Sequence, residues 1–449
     1  MNNSPISEVP LWFKKRSYLH FDRPILLDKA NNIVLNPKTV SQHAFYPFIS
    51  YSFNVTKLSR DKITNKLYRK EKVRDVAYSS HIDSHIYAYY ADILSAHYED
   101  KLQEKGLHDS VLAFRKINKK NNIHFANDVF NYIKDKGECS AIALDFSSFF
   151  DTLDHGILKR EWSNILGLKE LPSDHYNVFR SLTKFSKVDR DKVFELFNIS
   201  PHNPKLNGNG KHQSQIKNKR LKICEPHEFR TDIRKAGLIS SNKDNYGIPQ
   251  GSPISALLSN IYMLSFDEKM KDYANSINGT YFRYCDDMLF VVPTSERDKV
   301  LVNVTTEISK LYVTINESKT EIRDFRYHSD KLSSFEDNKQ KPLQYLGFLF
   351  DGSSIFLRSA SLSRYSEKMK GGIKLAKNTM DKENRIRKSK GEPLQTELYK
   401  RKLHRLYTHR GQRNFLSYGY RAAKIMDSKS IKKQLKPLLK RFEEQIVKE

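Results

Sequence analysis

Two runs of strand-favouring residues flank a pair of acidic residues near the middle of the chain. Residues 281–284 and 288–292 are mostly aromatic or aliphatic, and Asp286 and Asp287 lie between them. Aromatic and β-branched residues favour strands, whereas Asp favours turns. The pattern therefore predicts a β-hairpin with an acidic tip.

A shorter apolar run ends in a third acidic residue. Residues 141–144 read Ala-Ile-Ala-Leu, and Asp145 and Phe146 follow them. An apolar run of this length, followed by a change to polar residues, is typical of a buried strand. We therefore expect two neighbouring strands that each deliver a carboxylate at the same edge.

Helical periodicity accounts for much of the remaining chain. Gly137 favours the end of one helix and Pro253 the first turn of another. Apolar residues recur at helical spacing in residues 82–102, 127–136, about 253–271, about 296–311 and, in the tail, 403–439.

The three acidic residues allow two interpretations. Asp is common at bends because its side chain satisfies nearby backbone groups. Adjacent like charges, however, repel unless a cation neutralises them, and carboxylate oxygens are natural ligands of hard divalent ions. Together with Asp145, the pair Asp286 and Asp287 would form a two-metal arrangement that activates a 3′ hydroxyl and stabilises a leaving pyrophosphate.

The composition points to a nucleic-acid partner. The 449 residues carry a formal net charge of +26, which suits a phosphate backbone or an anionic membrane. No stretch approaches the ~20 apolar residues of a spanning helix, and the N-terminus does not resemble a signal peptide. We therefore expect a cytoplasmic protein with no membrane partner. Cysteines without metal-ligand spacing predict reduced, structural thiols at Cys139, Cys224 and Cys285.

The positive charge is concentrated in two places. From Arg364 onward there are 25 Lys and Arg against 9 Asp and Glu, a net charge of +16. This basic helical tail is suited to holding a duplex through its phosphates. Residues 198–222 form a second basic stretch, rich in Pro and Gly, which is either a surface insertion or a nucleic-acid contact.

Three motifs resemble those of reverse transcriptases, and they occur in the order and rough spacing of that family. Residues 284–287 read Tyr-Cys-Asp-Asp and resemble the family's Tyr-x-Asp-Asp signature. Residues 145–155 read DFSSFFDTLDH and resemble the motif with the first catalytic aspartate. Residues 247–253 read GIPQGSP and resemble the template-and-nucleotide motif. The resemblance implies an α+β fold, a right-hand polymerase with an antiparallel-sheet palm, fingers and a basic α-helical thumb.

The same resemblance implies a division into consecutive segments. Residues 1–66 would be an N-terminal extension, 67–138 the fingers and 353–449 the thumb. The palm would span residues 139–352, interrupted by a basic insertion at about 168–246.

The resemblance also implies the catalytic ligands. Asp145 and Asp286 would bridge two Mg²⁺ ions, with Mn²⁺ as an alternative, Asp287 would support the site, and the Phe146 carbonyl would complete one shell. Lys319, in a stretch similar to the next family motif, would be the general acid for the pyrophosphate.

Further residues are implied in nucleotide binding. Arg74 lies in a basic stretch that resembles the strand of the fingers that holds the triphosphate, although the stretch also reads as a solvated charge cluster. Arg115 lies in a second basic stretch, which resembles the next fingers motif, and would contact the triphosphate or the template. Phe150 would exclude a 2′ hydroxyl or else be a core aromatic. Gln250 offers a donor and an acceptor to the nascent base pair. Residues 344–348 resemble the hairpin that grips the primer end, and their apolar side chains equally suit a core.

The function implied is RNA-directed DNA synthesis from dNTPs, with an RNA template and a DNA product. The domain content most resembles bacterial defence-associated and abortive-infection reverse transcriptases, some of which use a dedicated noncoding RNA. Three alternatives remain, namely a retron-type reverse transcriptase, a template-independent or protein-primed nucleotidyltransferase, and an inactive RNA-binding protein.

Overall fold

The computed structural model describes residues 9–60, 66–201, 204 and 220–447. Most of the basic stretch at 198–222 thus lies outside the described residues. The chain divides into two compact units that alternate along the sequence. The first unit comprises Met1–Phe114, Phe146–Met270 and Asn303–Ile315, and the second comprises Arg115–Asp145, Lys271–Val302 and Asn316–Glu449.

Helices dominate both units. Short 3₁₀ turns occur at Thr294–Glu296 and Glu317–Lys319, and Phe229–Lys235 is a π-helix. The α-helices of the described chain are α1 (Leu27–Val34), α2 (Pro37–Ser41), α3 (His81–Glu104), α4 (Asn122–Lys136), α5 (Phe149–Thr152), α6 (His155–Leu166), α7 (Ser173–Thr183), α8 (Arg190–Leu196), α9 (Pro226–Glu228), α10 (Ser255–Tyr262), α11 (Leu264–Ser276), α12 (Arg297–Ser309), α13 (Ser359–Ser389), α14 (Lys400–Tyr407), α15 (Phe415–Ile425) and α16 (Lys429–Val447).

The strands of the described chain form three sheets. They are β1 (Phe48–Arg60), β2 (Leu67–Tyr78), β3 (Cys139–Ser147), β4 (Ser186–Asp189), β5 (Ser240–Ser241), β6 (Thr280–Tyr284), β7 (Asp287–Val292), β8 (Thr314–Ile315), β9 (Glu321–His328), β10 (Lys331–Glu336), β11 (Lys339–Gln340), β12 (Leu343–Tyr345), β13 (Phe348–Phe350) and β14 (Ile355–Leu357).

The sheet of the second unit is built around β3. Its strands lie in the order β11-β10-β9-β3-β7-β6, and neighbouring strands are antiparallel. β3 is paired along both sides and largely buried, which is why its sequence is a nearly continuous apolar run. β8 pairs with the last two residues of β3, Phe146 and Ser147, which belong to the first unit.

A hydrophobic core joins the helices and strands of the second unit. The rings of Phe130 on α4 and Phe325 on β9 both stack on Phe350 of β13, at 4.8 and 5.6 Å between centroids. The C-terminal helices join this core through side chains such as Leu435 and Phe442, both fully buried. The predicted helical tail is therefore confirmed as α13 to α16.

The first unit contains a four-stranded sheet in the order β2-β1-β4-β5. β1 runs antiparallel to β2, from Ile49 opposite Tyr78 to Arg60 opposite Leu67, and parallel to β4. This ladder joins the predicted N-terminal extension to the predicted fingers.

Most predicted elements are confirmed, with shifted ends. The helix predicted at 82–102 is present as α3. It begins at residue 81 because the Ser80 side chain caps it by accepting a hydrogen bond from Asp83 N. α4 begins at residue 122 rather than 127, since Asn121 forms a capping box, and it ends at Gly137 as predicted.

One predicted helix was wrong in detail. Residues 253–271 form two helices, α10 and α11, which are separated at Met263, and α10 begins after Pro253 rather than at it. The mixture of helices and antiparallel sheets confirms the predicted α+β class. The assignment of fingers, palm and thumb stays a prediction. No helix in the described ranges is long and apolar enough to cross a membrane.

Candidate active site

The predicted acidic hairpin is formed by β6 and β7. Tyr284 pairs with Asp287, which leaves Cys285 and Asp286 as a two-residue turn. Cys285 has a left-handed φ of 61°, a conformation that costs a non-glycine residue free energy. The fully buried Arg283 donates from Nη1 to the Cys285 carbonyl oxygen at 3.1 Å, which holds the turn in this conformation.

The predicted approach of two acidic strands is also present. β3 and β7 are antiparallel neighbours, and Asp145 lies directly opposite Asp287. Side chains in such a position point to the same face, with Cβ atoms about 4.5–5.5 Å apart. The second unit therefore brings Asp145, Asp286 and Asp287 to one edge of its sheet.

Burial and neighbouring charges disfavour the ionised form of Asp287. Burial first, and then the charges of Asp286 and Asp145, raise the pKa of Asp287 to about 7, against the opposing charges of Lys319 and Arg358. Lys319, whose side chain is 48% exposed, places Nζ 2.7 Å from both carboxylate oxygens of Asp145. The Asp145 carboxylate therefore already binds one cation, the Lys319 ammonium.

These groups match a divalent cation in donor chemistry. All the predicted ligands are oxygens, and Asp145 holds a cation with both of its carboxylate oxygens. Within the described ranges, however, no three His, Cys, Asp or Glu side chains are grouped closely enough to hold a metal ion. The edge thus supplies the charge and the donor type for Mg²⁺ or Mn²⁺, and the ligand set stays a prediction.

The first unit contains three of the four residues predicted to bind the nucleotide, namely Arg74, Phe150 and Gln250. The carbonyl of Gln250 accepts a bond from Ala77 N on β2 at 3.1 Å, and Arg74 is an exposed residue three positions earlier on that strand. The bond is possible because Gly251 has no side chain, since a Cβ there would lie 2.3 Å from the Ala77 carbonyl oxygen.

Phe150 is tied to the same turn. Ile248 N donates to the Phe150 carbonyl at 2.9 Å, and Gly247, at φ +84°, passes the Asp151 carbonyl so closely that a Cβ would lie 3.1 Å from it. The Phe150 ring is half-buried and lies 5.8 Å from the Phe149 ring. Backbone bonds in the first unit thus join the turn that carries Gln250 both to Phe150 on α5 and to the strand that carries Arg74.

Comparison with known proteins identifies the family. Residues 211–350 match the family model described as "Reverse transcriptase (RNA-dependent DNA polymerase)". This part of the chain is a reverse transcriptase domain. Over these residues the match confirms the family that the motifs predicted, and its description names an RNA-dependent DNA polymerase. It includes Gln250, Asp286, Asp287 and Lys319, whereas Asp145 precedes it.

Solved structures offer only distant likenesses to the chain that holds this reverse transcriptase domain. One is apo telomerase from Candida tropicalis truncated from its C-terminal domain, at 12% identity and a TM-score of 0.40, covering 68% of this chain and 55% of that one. Another is telomerase from Candida albicans in complex with a TWJ fragment of telomeric RNA, at 12% identity and a TM-score of 0.39, covering 90% and 58%. The chain thus spans little more than half of either structure. No curated protein matches it significantly.

Sequence reasoning missed three charged residues near the candidate site residues. Arg283 was detectable, because a charged residue in an otherwise apolar strand needs an internal partner. The other two residues could not be found from the local sequence pattern. Arg358 precedes α13 and lowers the pKa of Asp287. Lys187 lowers the pKa of Asp151, which burial and the charge of Asp75 raise.

Arg115, the fourth residue predicted to bind the nucleotide, does not belong to the unit that contains Phe150 and Gln250. Arg115 is half-buried in the segment before α4 and belongs to the second unit. Its role in binding the triphosphate or the template stays a prediction.

Proposed function

We propose that the protein is an RNA-directed DNA polymerase that extends a primer with dNTPs copied from an RNA template, using two divalent metal ions. The observation that carries the proposal is the placement of Asp145 opposite Asp287, beside the turn with Asp286. Paired carboxylates on adjacent antiparallel strands suit transfer of a nucleotide to a 3′ hydroxyl, because that reaction develops negative charge between two oxygens.

The carboxylates would hold the ions in this reaction. Asp145 and Asp286 would bridge two Mg²⁺ or Mn²⁺ ions, with Asp287 and the Phe146 carbonyl as supporting ligands. When bound, the ions would acidify the 3′ hydroxyl and neutralise the leaving pyrophosphate.

Lys319 is suited to protonate the leaving group. Its Nζ lies 2.7 Å from both oxygens of Asp145, which places the amine at the acidic edge. An ammonium at this position can transfer a proton to the pyrophosphate as the phosphorus–oxygen bond breaks.

The turn around Gln250 would select the nucleotide. Arg74 would hold the triphosphate, the Gln250 amide would contact the base pair, and the Phe150 ring would leave no room for a 2′ hydroxyl. Two observations support this grouping, namely the bond between Ala77 N and the Gln250 carbonyl and the bond between Ile248 N and the Phe150 carbonyl.

The C-terminal helices would hold the template–primer duplex. The chain from Arg364 onward carries a net charge of +16, and cations on α14 such as Arg401 and Lys402 are exposed. Exposed cations bind phosphates without regard to base sequence, as a moving polymerase requires.

The function is tested by primer extension. Purified wild-type protein with Mg²⁺, dNTPs and a primed RNA template should synthesise DNA, and Asp286→Asn should not, while both proteins unfold at the same temperature. Synthesis that persists without RNA would favour the template-independent alternative, and product joined to the protein would favour protein priming. A wild-type protein that binds RNA without extending a primer would contradict the proposal.

The biological role we propose is defence against phage in the cytoplasm, with a dedicated noncoding RNA as template. It rests on the resemblance of the domain content, and of the region from Arg74 to Lys116, to those of defence-associated reverse transcriptases. Expression of the wild-type gene with its flanking sequence should reduce plaque formation, and Asp286→Asn should abolish the reduction. Sequencing the RNA and DNA that copurify with the protein identifies the template and distinguishes a retron-type enzyme.

A further inference from the structure

An apolar groove lies between α13 and α14 in the second unit. It has a volume of about 450 Å³, and its two walls are the stretch of α13 from Gly372 to Glu383 and the segment from Gln395 to Tyr407. This volume is within the range of sites that bind small organic groups. The apolar part of the lining includes Leu375, Ala376, Met380, Leu403 and Leu406.

Hydrogen bonds join the two walls at both ends of the groove. At one end, Gln395 N donates to Asn384 Oδ1 at 2.8 Å, and Asn384 Nδ2 donates to the Gln395 carbonyl at 2.9 Å. At the other end, Tyr407 Oη donates to the Lys368 carbonyl at 2.8 Å. Gly372 makes this second contact possible, because a Cβ there would collide with Tyr407 Oη. The groove is therefore a fixed part of the fold, so an occupant would not have to form it.

The groove exposes apolar side chains that the core does not use. Met369 and Ile373 on α13 are buried in the core of the second unit, whereas Leu375 on the same helix is 68% exposed. On the opposite wall, Tyr399 is 65% exposed and Leu406 is 42% exposed. Adjacent exposed apolar side chains mark a binding surface, whereas isolated ones are ordinary.

The surrounding charge favours an anionic occupant. The chain from Arg364 onward has a net charge of +16. Lys402 lines the groove, and Arg405, one turn further along α14, is exposed. A second copy of the chain would bring charge of the same sign to this surface and would be repelled. The occupant should therefore combine apolar surface with negative charge, as a single-stranded nucleic acid and an acidic amphipathic helix both do.

The polar groups of the groove favour the nucleic acid over the acidic helix. Thr379, Glu383 and Gln395 line the groove together with Lys402, so hydrogen-bond donors and acceptors are both present. Nucleobase edges also carry both donors and acceptors. The carboxylates of an acidic helix, in contrast, carry only acceptors, and Glu383 would repel them. The exposed ring of Tyr399 offers a face on which a base can stack.

We propose that this groove binds unpaired nucleobases of the RNA template, with one base stacked on Tyr399 and with cations of α14 on the adjoining phosphates. A duplex would not fill the groove, because its bases stack on one another and its surface presents phosphates. The groove would thus hold a single-stranded part of the RNA beside the duplex. The choice of RNA rests on the proposed polymerase function, whereas the chemistry of the groove requires only an unpaired strand.

Two variants remove the groove's apolar surface without changing its charge. Tyr399→Ala removes the stacking face, and Leu375→Asn makes the opposite wall polar. Because both side chains are mostly exposed, the unfolding temperature should not change in either variant. Tyr327→Ala is the matched control, since Tyr327 is a 58% exposed tyrosine of the same unit that does not line the groove.

The experiment measures the affinity of each protein for three RNA probes by fluorescence anisotropy in EDTA. The probes are a blunt duplex, the same duplex with a single-stranded overhang, and the duplex with an overhang that lacks its bases. Stacking on an aromatic side chain strengthens the binding of a base about 5- to 150-fold. The wild type should therefore bind the overhang with bases about 10-fold more tightly, or more, than the overhang without bases. Tyr399→Ala and Leu375→Asn should lose most of this gain, and Tyr327→Ala should keep it.

Equal affinity of the wild type for the overhangs with and without bases would overturn the inference. It would then be consistent with phosphate binding alone, or with a groove that holds an acidic helix. A gain that survives in both groove variants, or that Tyr327→Ala also loses, would overturn it as well, because the bases would then bind elsewhere. A wild type that binds the overhang as expected but does not extend a primer would overturn the proposed function and leave this binding site in place.

Discussion

Gly251 is expected to be indispensable for the bond between β2 and the turn that carries Gln250. A Cβ at this position would lie 2.3 Å from the Ala77 carbonyl oxygen, so β2 would have to move by about 1 Å to restore van der Waals contact. Gly251 also has a φ of +118°, which costs any other residue about 1–3 kcal/mol. Losing the bond from Ala77 N to the Gln250 carbonyl adds about 0.5–1.5 kcal/mol. Gly251→Ala should therefore destabilise the first unit by about 1.5–4.5 kcal/mol.

Urea denaturation followed by circular dichroism measures this change, and Gly237→Ala is the control. Gly237 has a φ of +70° with nothing within 4 Å of a Cβ, so its variant isolates the backbone strain from the clash. Because the strand that carries Arg74 would shift, Gly251→Ala should also raise the KM for dNTP about 10-fold or more, whereas Gly237→Ala should not. Equal destabilisation by the two variants, with an unchanged KM, would refute the argument.

Three further outcomes are expected. Lys319→Ala should lower the single-turnover rate about 100-fold with little change in dNTP affinity, and an unchanged rate would assign the general acid elsewhere. Phe150→Ala should admit ribonucleotides, as measured by the ratio of kcat/KM for dNTP and NTP. An unchanged ratio in an active variant would mean that another residue excludes the 2′ hydroxyl. The logarithm of duplex affinity should fall with the logarithm of salt concentration, with a slope of roughly −0.7 to −0.9 per phosphate contact. That slope should become less steep when four cations of α14 are neutralised together, namely Lys400, Arg401, Lys402 and Arg405. An unchanged slope would mean that the duplex binds to another part of the protein.

Local patterns were sufficient for the acidic strands. The apolar runs at residues 141–144 and 288–292 predicted buried strands, and the structure contains them as β3 and β7. Helix ends were less predictable, because capping depends on side-chain geometry such as the capping box of Asn121, which shifted the start of α4. The division into two units was not visible locally, since each unit combines segments that are distant in the sequence.

What the sequence determined by itself was the set of chemical groups and the strands and helices that carry them, because these depend on residues within a few positions of one another. The register that places Asp145 opposite Asp287, and the bond from Lys319 to Asp145, were decided only by tertiary structure. The physical reason is that register and burial arise when strands distant in the chain choose partners, and that choice minimises the free energy of the whole packed unit rather than of any single segment.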